Sequence, residues 1–171
     1  GAAGLGAKVA LIEKHKMGGD CLNTGCVPSK ALIKSARVAA MLRHASQYGI
    51  SVDGFKINFP AVMERVKGIQ AIIEPHDSPE RFRGLGVDVQ FGTGHFISPY
   101  EVSNGEKRWT AKKIVIATGS RPALPNIKGL KKEDVLTSEN VWDIRVLPKK
   151  LVVVGGGPIG TELAQCFCRF G

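Results

Sequence analysis

The sequence contains no apolar run long enough to cross a bilayer, and its start lacks the basic region and apolar stretch of a secretion signal. Aromatic residues are scarce, at 6%. The 24 Lys and Arg residues that give a formal charge of +9 are scattered, without a basic block or interleaved aromatics. We therefore expect a cytoplasmic protein that binds neither membrane nor nucleic acid.

Glycine, in contrast, is plentiful, and its distribution indicates the class of fold. The 21 glycines lie in turns between apolar runs and not in a low-complexity tract. This arrangement is typical of an α/β protein, and 171 residues suffice for one ordinary domain with a core. The chain opens at Gly1 without an initiator Met and stops at Gly171 just after a new strand, turn and helix. We expect missing chain at both ends and a domain boundary after residue 148.

Hydrophobic periodicity predicts the first half of the fold. Residues 8–13 form a short apolar run typical of a parallel strand, and residues 15–24 follow as a loop. Residues 27–48 have helical spacing, with Pro28 in the first turn. A second helix is predicted over residues 59–74. Its expected apolar face consists of Val62, Val66, Ile69, Ile72 and Ile73.

The residue pattern in the middle of the chain predicts β-strands. Residues 77–80 resemble a capping box that opens a short helix before the strand at residues 87–91. Alternating residues up to Ile116, with the hairpin signal Asn104-Gly105, predict an antiparallel β-meander over residues 87–116. The last strand, residues 113–116, is expected to lie parallel to residues 8–13 in one sheet.

Two of the four cysteines, Cys21 and Cys26, are separated by a glycine-containing loop and followed by Pro28, which opens a long helix. Thiols at a helix amino end are favoured as thiolates, the form that exchanges with disulfides. Two other interpretations stay open on spacing alone: buried structural cysteines, or half of a zinc site without a complementary Cys or His cluster. Cys166 and Cys168 are expected to be small core residues.

A glycine-rich turn near the end of the chain has the pattern of a dinucleotide-binding motif. Gly155, Gly157 and Gly160 satisfy G-x-G-x-x-G between an apolar run at residues 151–154 and a predicted helix. Glycines there permit a tight turn and close approach of a pyrophosphate, whose charge a helix amino end stabilises. We therefore expect a strand over residues 151–154 and a nucleotide at this turn.

The stretch MGGDCLNTGCVPSKALIKSA resembles the active-site segment of the class I pyridine-nucleotide disulfide oxidoreductases, the family of dihydrolipoamide dehydrogenase, glutathione reductase and mercuric reductase. The shared pattern is GG-x-C-x-N-x-GC-x-PSK. KVALIEK and IVIATGSRP also resemble family motifs, in the family's order. The resemblance implies a Rossmann-like FAD-binding domain with a parallel sheet and a β-meander over residues 1–148. It implies that residues 149–171 begin a second Rossmann-like domain, which binds NAD(P)H, and that the complete protein is a homodimer.

The resemblance also assigns cofactor-binding residues. Glu13 would bind the adenosine ribose, the segment from Ala117 to Ser120 would lie against FAD, and Lys30 would lie near the flavin N5. Without the resemblance, a solvent-facing acid and a surface lysine are the alternatives for Glu13 and Lys30. The implied set is Glu13, Lys14, Gly19, Lys30, Gly94, Ala117, Thr118, Gly119, Ser120, Gly155, Gly157 and Gly160.

The implied activity is electron transfer between NAD(P)H, FAD and a Cys21–Cys26 disulfide, with a small-molecule disulfide, dithiol or metal ion as substrate. Cys26 would lie next to the flavin and Cys21 would meet the substrate. The sequence also departs from the family pattern. The first strand with its glycine-rich loop would precede Gly1, and none of the four histidines matches the family's catalytic His-Glu pair. The competing hypothesis is a non-catalytic dinucleotide-binding module or fragment.

Overall fold

The computed structural model describes all of residues 1–171, which divide into two units. The first unit comprises Gly1–Gly19 and Ile73–Ser120, and the second comprises Asp20–Ile72 and Arg121–Gly171. This division does not test the expected domain boundary after residue 148, which stays a prediction. No helix of the chain combines the length and hydropathy needed to span a membrane.

The first unit contains a parallel strand pair. β1 (Val9–Glu13) pairs with β2 (Val87–Phe91) in register from Val9 opposite Val87 to Glu13 opposite Phe91. The long intervening segment is what a parallel connection requires. The strand predicted at residues 8–13 is confirmed, but the assignment of residues 87–91 to the antiparallel meander is wrong. These residues belong to the parallel sheet, where Val87 and Val89 are buried.

The meander is shorter than predicted. It consists of β3 (His95–Ser98), β4 (Glu101–Ser103) and β5 (Arg108–Thr110), paired antiparallel in the order β3-β4-β5. The predicted hairpin joins β4 and β5: the Asn104 side chain accepts hydrogen bonds from the backbone N–H groups two and three residues later. Gly105, at φ +96°, adopts the left-handed conformation that this turn needs. The predicted combination of a parallel sheet and a β-meander is therefore confirmed.

Two apolar segments predicted as strands are not strands. Residues 113–116 and 151–154 have no strand partner, and Val115 and Val152 are each 86% exposed. An apolar run becomes a strand only where a neighbouring strand offers backbone hydrogen bonds, and β1 pairs with β2 alone. The predicted parallel pairing of residues 113–116 with residues 8–13 is therefore wrong for this structure.

Two further helix predictions need correction. The loop predicted at residues 15–24 contains a short helix, α1 (Gly19–Asn23). In the first unit, the helix that precedes β2 is α4 (Pro79–Gly84), and its cap is Ser78, whose hydroxyl accepts the Arg81 N–H at 3.2 Å. In a full capping box, the side chain of the third helical residue also accepts the N–H of the cap residue. That second hydrogen bond is absent here because the third helical residue is Arg81 and not an acid.

The second unit is built mainly from three helices: α2 (Cys26–Arg43), α3 (Phe59–Ile73) and α5 (Pro158–Phe170). The first ends earlier than predicted, and a 3-10 helix, Ala45–Tyr48, follows it. Of the face predicted for α3, Val66 is buried and Val62 and Ile69 pack against the core, whereas Ile72 is 69% exposed. The core shared by these helices and residues of a 3-10 helix, Val141–Asp143, consists of Ala31, Leu32, Ala36, Ala39, Phe59, Met63, Val66, Val141, Trp142, Cys166, Phe167 and Phe170.

Candidate active site

The cysteine loop, residues 21–26, joins two helices of the second unit. Cys21 lies in α1 and Cys26 is the first residue of α2, so the predicted position of the second thiol at a helix start is confirmed. Both thiols are free and exposed. Between them, Leu22 is only 4% exposed. The loop thus presents two thiols to solvent while one apolar side chain anchors it in the interior.

The two thiols interact directly. A side-chain hydrogen bond with Cys26 is the largest of the effects that raise the pKa of Cys21, and burial and the charge of Cys26 act in the same direction. The Cys26 backbone N–H and the Lys30 ammonium oppose this rise. The sequence-based expectation that the helix terminus favours a thiolate is therefore wrong for Cys21, because its neighbouring sulfur outweighs those two stabilising groups.

A glycine shapes the loop between the thiols. Gly25 has φ −123° and ψ −109°, and a Cβ at this position would lie 2.9 Å from the carbonyl oxygen of Asp20. The same carbonyl accepts the Thr24 N–H at 2.9 Å. The chain therefore folds back tightly enough that a side chain at Gly25 would displace backbone atoms next to Cys21.

Long-range hydrogen bonds hold the loop from behind. Gln70 on α3 donates through Nε2 to the carbonyl oxygens of Leu22 at 2.9 Å and Asn23 at 3.0 Å. Trp142 donates through Nε1 to the carbonyl oxygen of Thr24 at 3.1 Å and to that of Ser138 at 2.7 Å. Neither donor is among the residues predicted from the sequence.

One signal in the sequence could have identified Gln70. The buried residues of α3 are Phe59, Met63 and Val66, and the next position of that 4-3-4 spacing is Gln70. A polar residue that continues an apolar stripe needs a hydrogen-bond partner. No comparable local pattern marks Trp142, whose bond to the loop spans 118 residues of sequence.

The ribose-binding candidate Glu13 lies in the first unit, at the carboxyl end of β1. Its Oε1 accepts the His15 backbone N–H at 2.8 Å, and the side chain is half-buried. Lys14 follows it and is exposed. An ionised carboxylate has acceptor capacity beyond one N–H, so Glu13 fits the hydroxyl groups of a ribose.

The other first-unit candidates are small residues in turns. Gly19 has φ +56° and Gly119 has φ +66°, conformations that favour glycine. A Cβ on Gly94 would contact Ile12 of β1 at 3.6 Å. The four residues of the segment Ala117, Thr118, Gly119 and Ser120 are all exposed. These positions leave the backbone accessible, which suits a dinucleotide that approaches it closely.

The glycine-rich turn before α5 fits a pyrophosphate. Gly155 has φ +106°, and a Cβ on Gly160 would lie 3.2 Å from the Gly155 carbonyl oxygen. Added Cβ atoms on Gly156 and Gly157 would meet nothing within 4 Å. α5 begins at Pro158 without a side-chain cap, so no side chain occupies the amino-terminal N–H groups that can bind an anion.

The second pair of cysteines shows no chemical site. Cys166 is buried, as predicted, and burial raises the pKa of its thiol to about 11. Cys168 is exposed, so its assignment to the core is wrong. Residues two apart in an α-helix lie on different faces, which explains why Cys166 is buried while Cys168 is exposed. No group of three or more His, Cys, Asp or Glu side chains is arranged to hold a metal ion.

Comparison with known proteins identifies relatives over nearly the whole chain. It is 41% identical to the dihydrolipoyl dehydrogenase of Chlamydia trachomatis, covering 99% of this chain and 37% of the relative. It is 31% identical to the mercuric reductase of Lysinibacillus sphaericus, covering 97% of this chain and 30% of the relative. The structure matches the HOCl-induced flavoprotein disulfide reductase RclA of Escherichia coli with a TM-score of 0.79 and 28% identity, over 99% of this chain and 36% of that protein.

The present chain spans less than two fifths of the length of each of these relatives. The family described as pyridine nucleotide-disulphide oxidoreductase matches residues 1–171. The resemblance first found around the cysteine loop therefore extends over every residue of the chain. The chain belongs to the pyridine nucleotide-disulphide oxidoreductase family.

Proposed function

We propose that the protein is a flavin-dependent oxidoreductase that passes electrons between NAD(P)H, FAD and a Cys21–Cys26 disulfide. The observation that carries the proposal is the pair of free, exposed thiols on either side of the turn between α1 and α2, with Cys26 as the main influence on the pKa of Cys21. Family membership supports it, as do the two relatives whose names denote a dihydrolipoyl dehydrogenase and a mercuric reductase. The proposed substrate is a small-molecule disulfide, a dithiol or a metal ion.

The proposed cofactor sites use the residues described above. Glu13 and the turn around Gly119 would hold FAD, and the turn from Gly155 to Gly160 would hold NAD(P)H. Bound FAD would supply hydride acceptance from NAD(P)H and delivery of the electron pair to the disulfide. Lys30 would contribute a positive charge on the thiol side, where it already opposes the rise in the Cys21 pKa.

The thiols would reduce a substrate disulfide in two exchanges. The Cys21 thiolate attacks one substrate sulfur, so a mixed disulfide forms and the first substrate thiolate leaves and takes up a proton. The Cys26 thiolate then attacks the Cys21 sulfur, which forms the intramolecular disulfide and releases the second substrate thiolate. One substrate disulfide has gained two electrons and two protons, and the two protein thiols have lost them. Oxidation of a dithiol is the reverse sequence.

The placement of Cys26 supports this division of roles. It is the first residue of α2 and precedes Lys30, which is proposed to lie near the flavin, by one helical turn, whereas Cys21 lies in the preceding helix α1. A homodimer and a cytoplasmic location complete the proposal and remain expectations from the sequence.

An anaerobic thiol count tests the proposed electron path. The purified protein is examined for flavin absorbance, mixed with NADH or NADPH, and titrated with a chromogenic thiol reagent. We expect bound flavin and two additional reactive thiols after reduction. Cys21→Ser and Cys26→Ser should abolish the gain, and Cys168→Ser, which alters another exposed thiol, should retain it. A flavin-loaded wild type whose thiol count does not change would overturn the proposal, and absence of flavin and nucleotide reduction would favour the non-catalytic module.

A further inference from the structure

The carbonyl groups of the cysteine loop require donors that the loop does not contain. α1 ends at Asn23 after five residues, so no following turn of the same helix provides N–H donors for the carbonyl groups of its last turn. Leu22, Asn23 and Thr24 supply three successive carbonyl oxygens between the two thiols. All three accept hydrogen bonds from Gln70 or Trp142. The segment that bears the thiols is thus tied to two distant parts of the second unit.

The amide of Gln70 is oriented by these acceptors. Its Nε2 bonds both carbonyl oxygens, while its Oε1 is buried and has no hydrogen-bond partner. Rotating the amide would place oxygen against oxygen, so the observed orientation is the one the site permits. Burying an unbonded acceptor is unfavourable. The stabilising contribution of this amide therefore comes from its two donated bonds to the cysteine loop.

Trp142 supplies the second attachment. Its ring is 2% exposed within the helical core, and its N–H is shared between Thr24 and Ser138. A buried indole needs such a polar partner. Because the ring is fixed by packing, the bond to Thr24 ties the residue two before Cys26 to the core.

We propose that Gln70 and Trp142 are positioning residues that keep the Cys21 and Cys26 sulfurs within bonding reach when the pair is reduced. The proposal rests on the proposed redox function of this pair. A disulfide closes the loop covalently, whereas the dithiol form depends on other contacts to stay closed. Holding the reduced loop in the closed geometry raises the effective concentration of one thiol at the other and favours disulfide formation.

This role predicts a change in the thiol–disulfide equilibrium. In glutathione buffers, the protein dithiol and oxidised glutathione convert to the protein disulfide and two reduced glutathione molecules, so electrons and protons balance. Without the Gln70 donors the reduced loop can open, and the disulfide becomes easier to reduce. Since an ordinary hydrogen bond is worth about a factor of five, we expect the equilibrium constant to fall about five- to tenfold for Gln70→Met. Tenfold corresponds to about 30 mV for this two-electron couple.

The chain offers matched controls in its first unit. Gln90 donates its amide and Trp109 its indole N–H to the Asp88 carboxylate. Gln90→Met and Trp109→Phe therefore remove the same donors as Gln70→Met and Trp142→Phe, but in the unit that does not contain the thiols. The wild-type full chain and the four variants are purified. Each protein is equilibrated with glutathione, quenched with a maleimide and analysed by peptide mass spectrometry. Circular dichroism checks the fold.

The proposal predicts a lowered equilibrium constant for both second-unit variants and a constant within about twofold of wild type for both controls. If Trp142→Phe does not fold, Gln70→Met, which keeps an unbranched side chain of similar length, decides the outcome. A wild-type constant in folded Gln70→Met overturns the positioning role while leaving the redox pair intact. If wild type forms no Cys21–Cys26 disulfide at any glutathione ratio, the proposed function itself fails.

Discussion

Gly25→Ala is the substitution for which the geometry of the cysteine loop predicts the sharpest effect. The new Cβ would lie 2.9 Å from the Asp20 carbonyl oxygen and 3.6 Å from the Cα of Cys21. The first separation is too short for a carbon and an oxygen that are not bonded, and the obstacle is backbone. The chain around Asp20 must therefore move, and Cys21 must move with it.

The cost can be estimated from what the shift disrupts. Overpacking of a tight site costs about 1–3 kcal/mol. Losing the Thr24 N–H bond to Asp20 adds about 1 kcal/mol. We therefore expect the free energy of unfolding of the second unit to fall by about 2–4 kcal/mol. Gly68→Ala is the matched control, since Gly68 lies inside α3 with nothing within 4 Å of an added Cβ. That change should stabilise the helix by about 1 kcal/mol.

Urea unfolding monitored by tryptophan fluorescence measures both effects. The chain has two tryptophans, one in each unit, so a Trp109→Phe background leaves Trp142 as the reporter of the second unit. Glutathione titration of the same proteins should show a smaller disulfide equilibrium constant for Gly25→Ala alone. Equal stability of the two alanine variants would refute the steric argument. Loss of stability without any change in the disulfide equilibrium would refute the link between Gly25 and the thiols.

Three further predictions concern the thiols, the meander and the nucleotide turn. Cys26→Ala removes the main cause of the raised Cys21 pKa, so iodoacetamide should alkylate Cys21 along a pH profile shifted to lower pH; an unshifted profile contradicts this. Hydrogen bonds from Lys107 and two other side chains hold the pKa of Asp88 well below its usual range, so this stabilisation exists above about pH 4 and weakens as pH falls further. Asp88→Asn should therefore lower the Tm by calorimetry at pH 7 and match wild type more closely near pH 2; an equal deficit at both would be inconsistent. Gly160→Ala places a Cβ 3.2 Å from a backbone oxygen and should weaken NAD(P)H binding measured by fluorescence, whereas Gly156→Ala meets nothing within 4 Å and should not.

The features predictable from the sequence are those that depend on neighbours in the chain. The apolar run of β1 and the helix that begins at Cys26 and carries Pro28 in its first turn are local patterns. The hairpin after β4 follows from Asn104-Gly105, whose conformational preferences need no distant contact. The proximity of the two thiols likewise follows from their short separation in sequence and the glycine between them.

The errors arise where pairing partners decide the structure. The apolar segments at residues 113–116 and 151–154 have the composition of buried parallel strands, but composition alone does not provide a neighbouring strand. The alternating pattern predicts a meander that includes residues 87–91, yet β2 pairs with β1, more than 70 residues earlier. The predicted face of α3 includes the exposed Ile72 and omits the buried Met63, because apolar residues extend around this helix and only packing selects among them.

The cysteine loop combines both kinds of information. Its chemistry is local, since Cys21 and Cys26 and the intervening glycine occur within six residues. Its rigidity is not, because the donors to its carbonyl oxygens come from Gln70 and Trp142. Hydrogen bonds to backbone carbonyl groups leave the thiols exposed and do not consume the side chains that react. A loop held in this way can keep the same supporting contacts as a disulfide and as a dithiol, and we expect the equilibrium between the two forms to depend on Gln70 and Trp142.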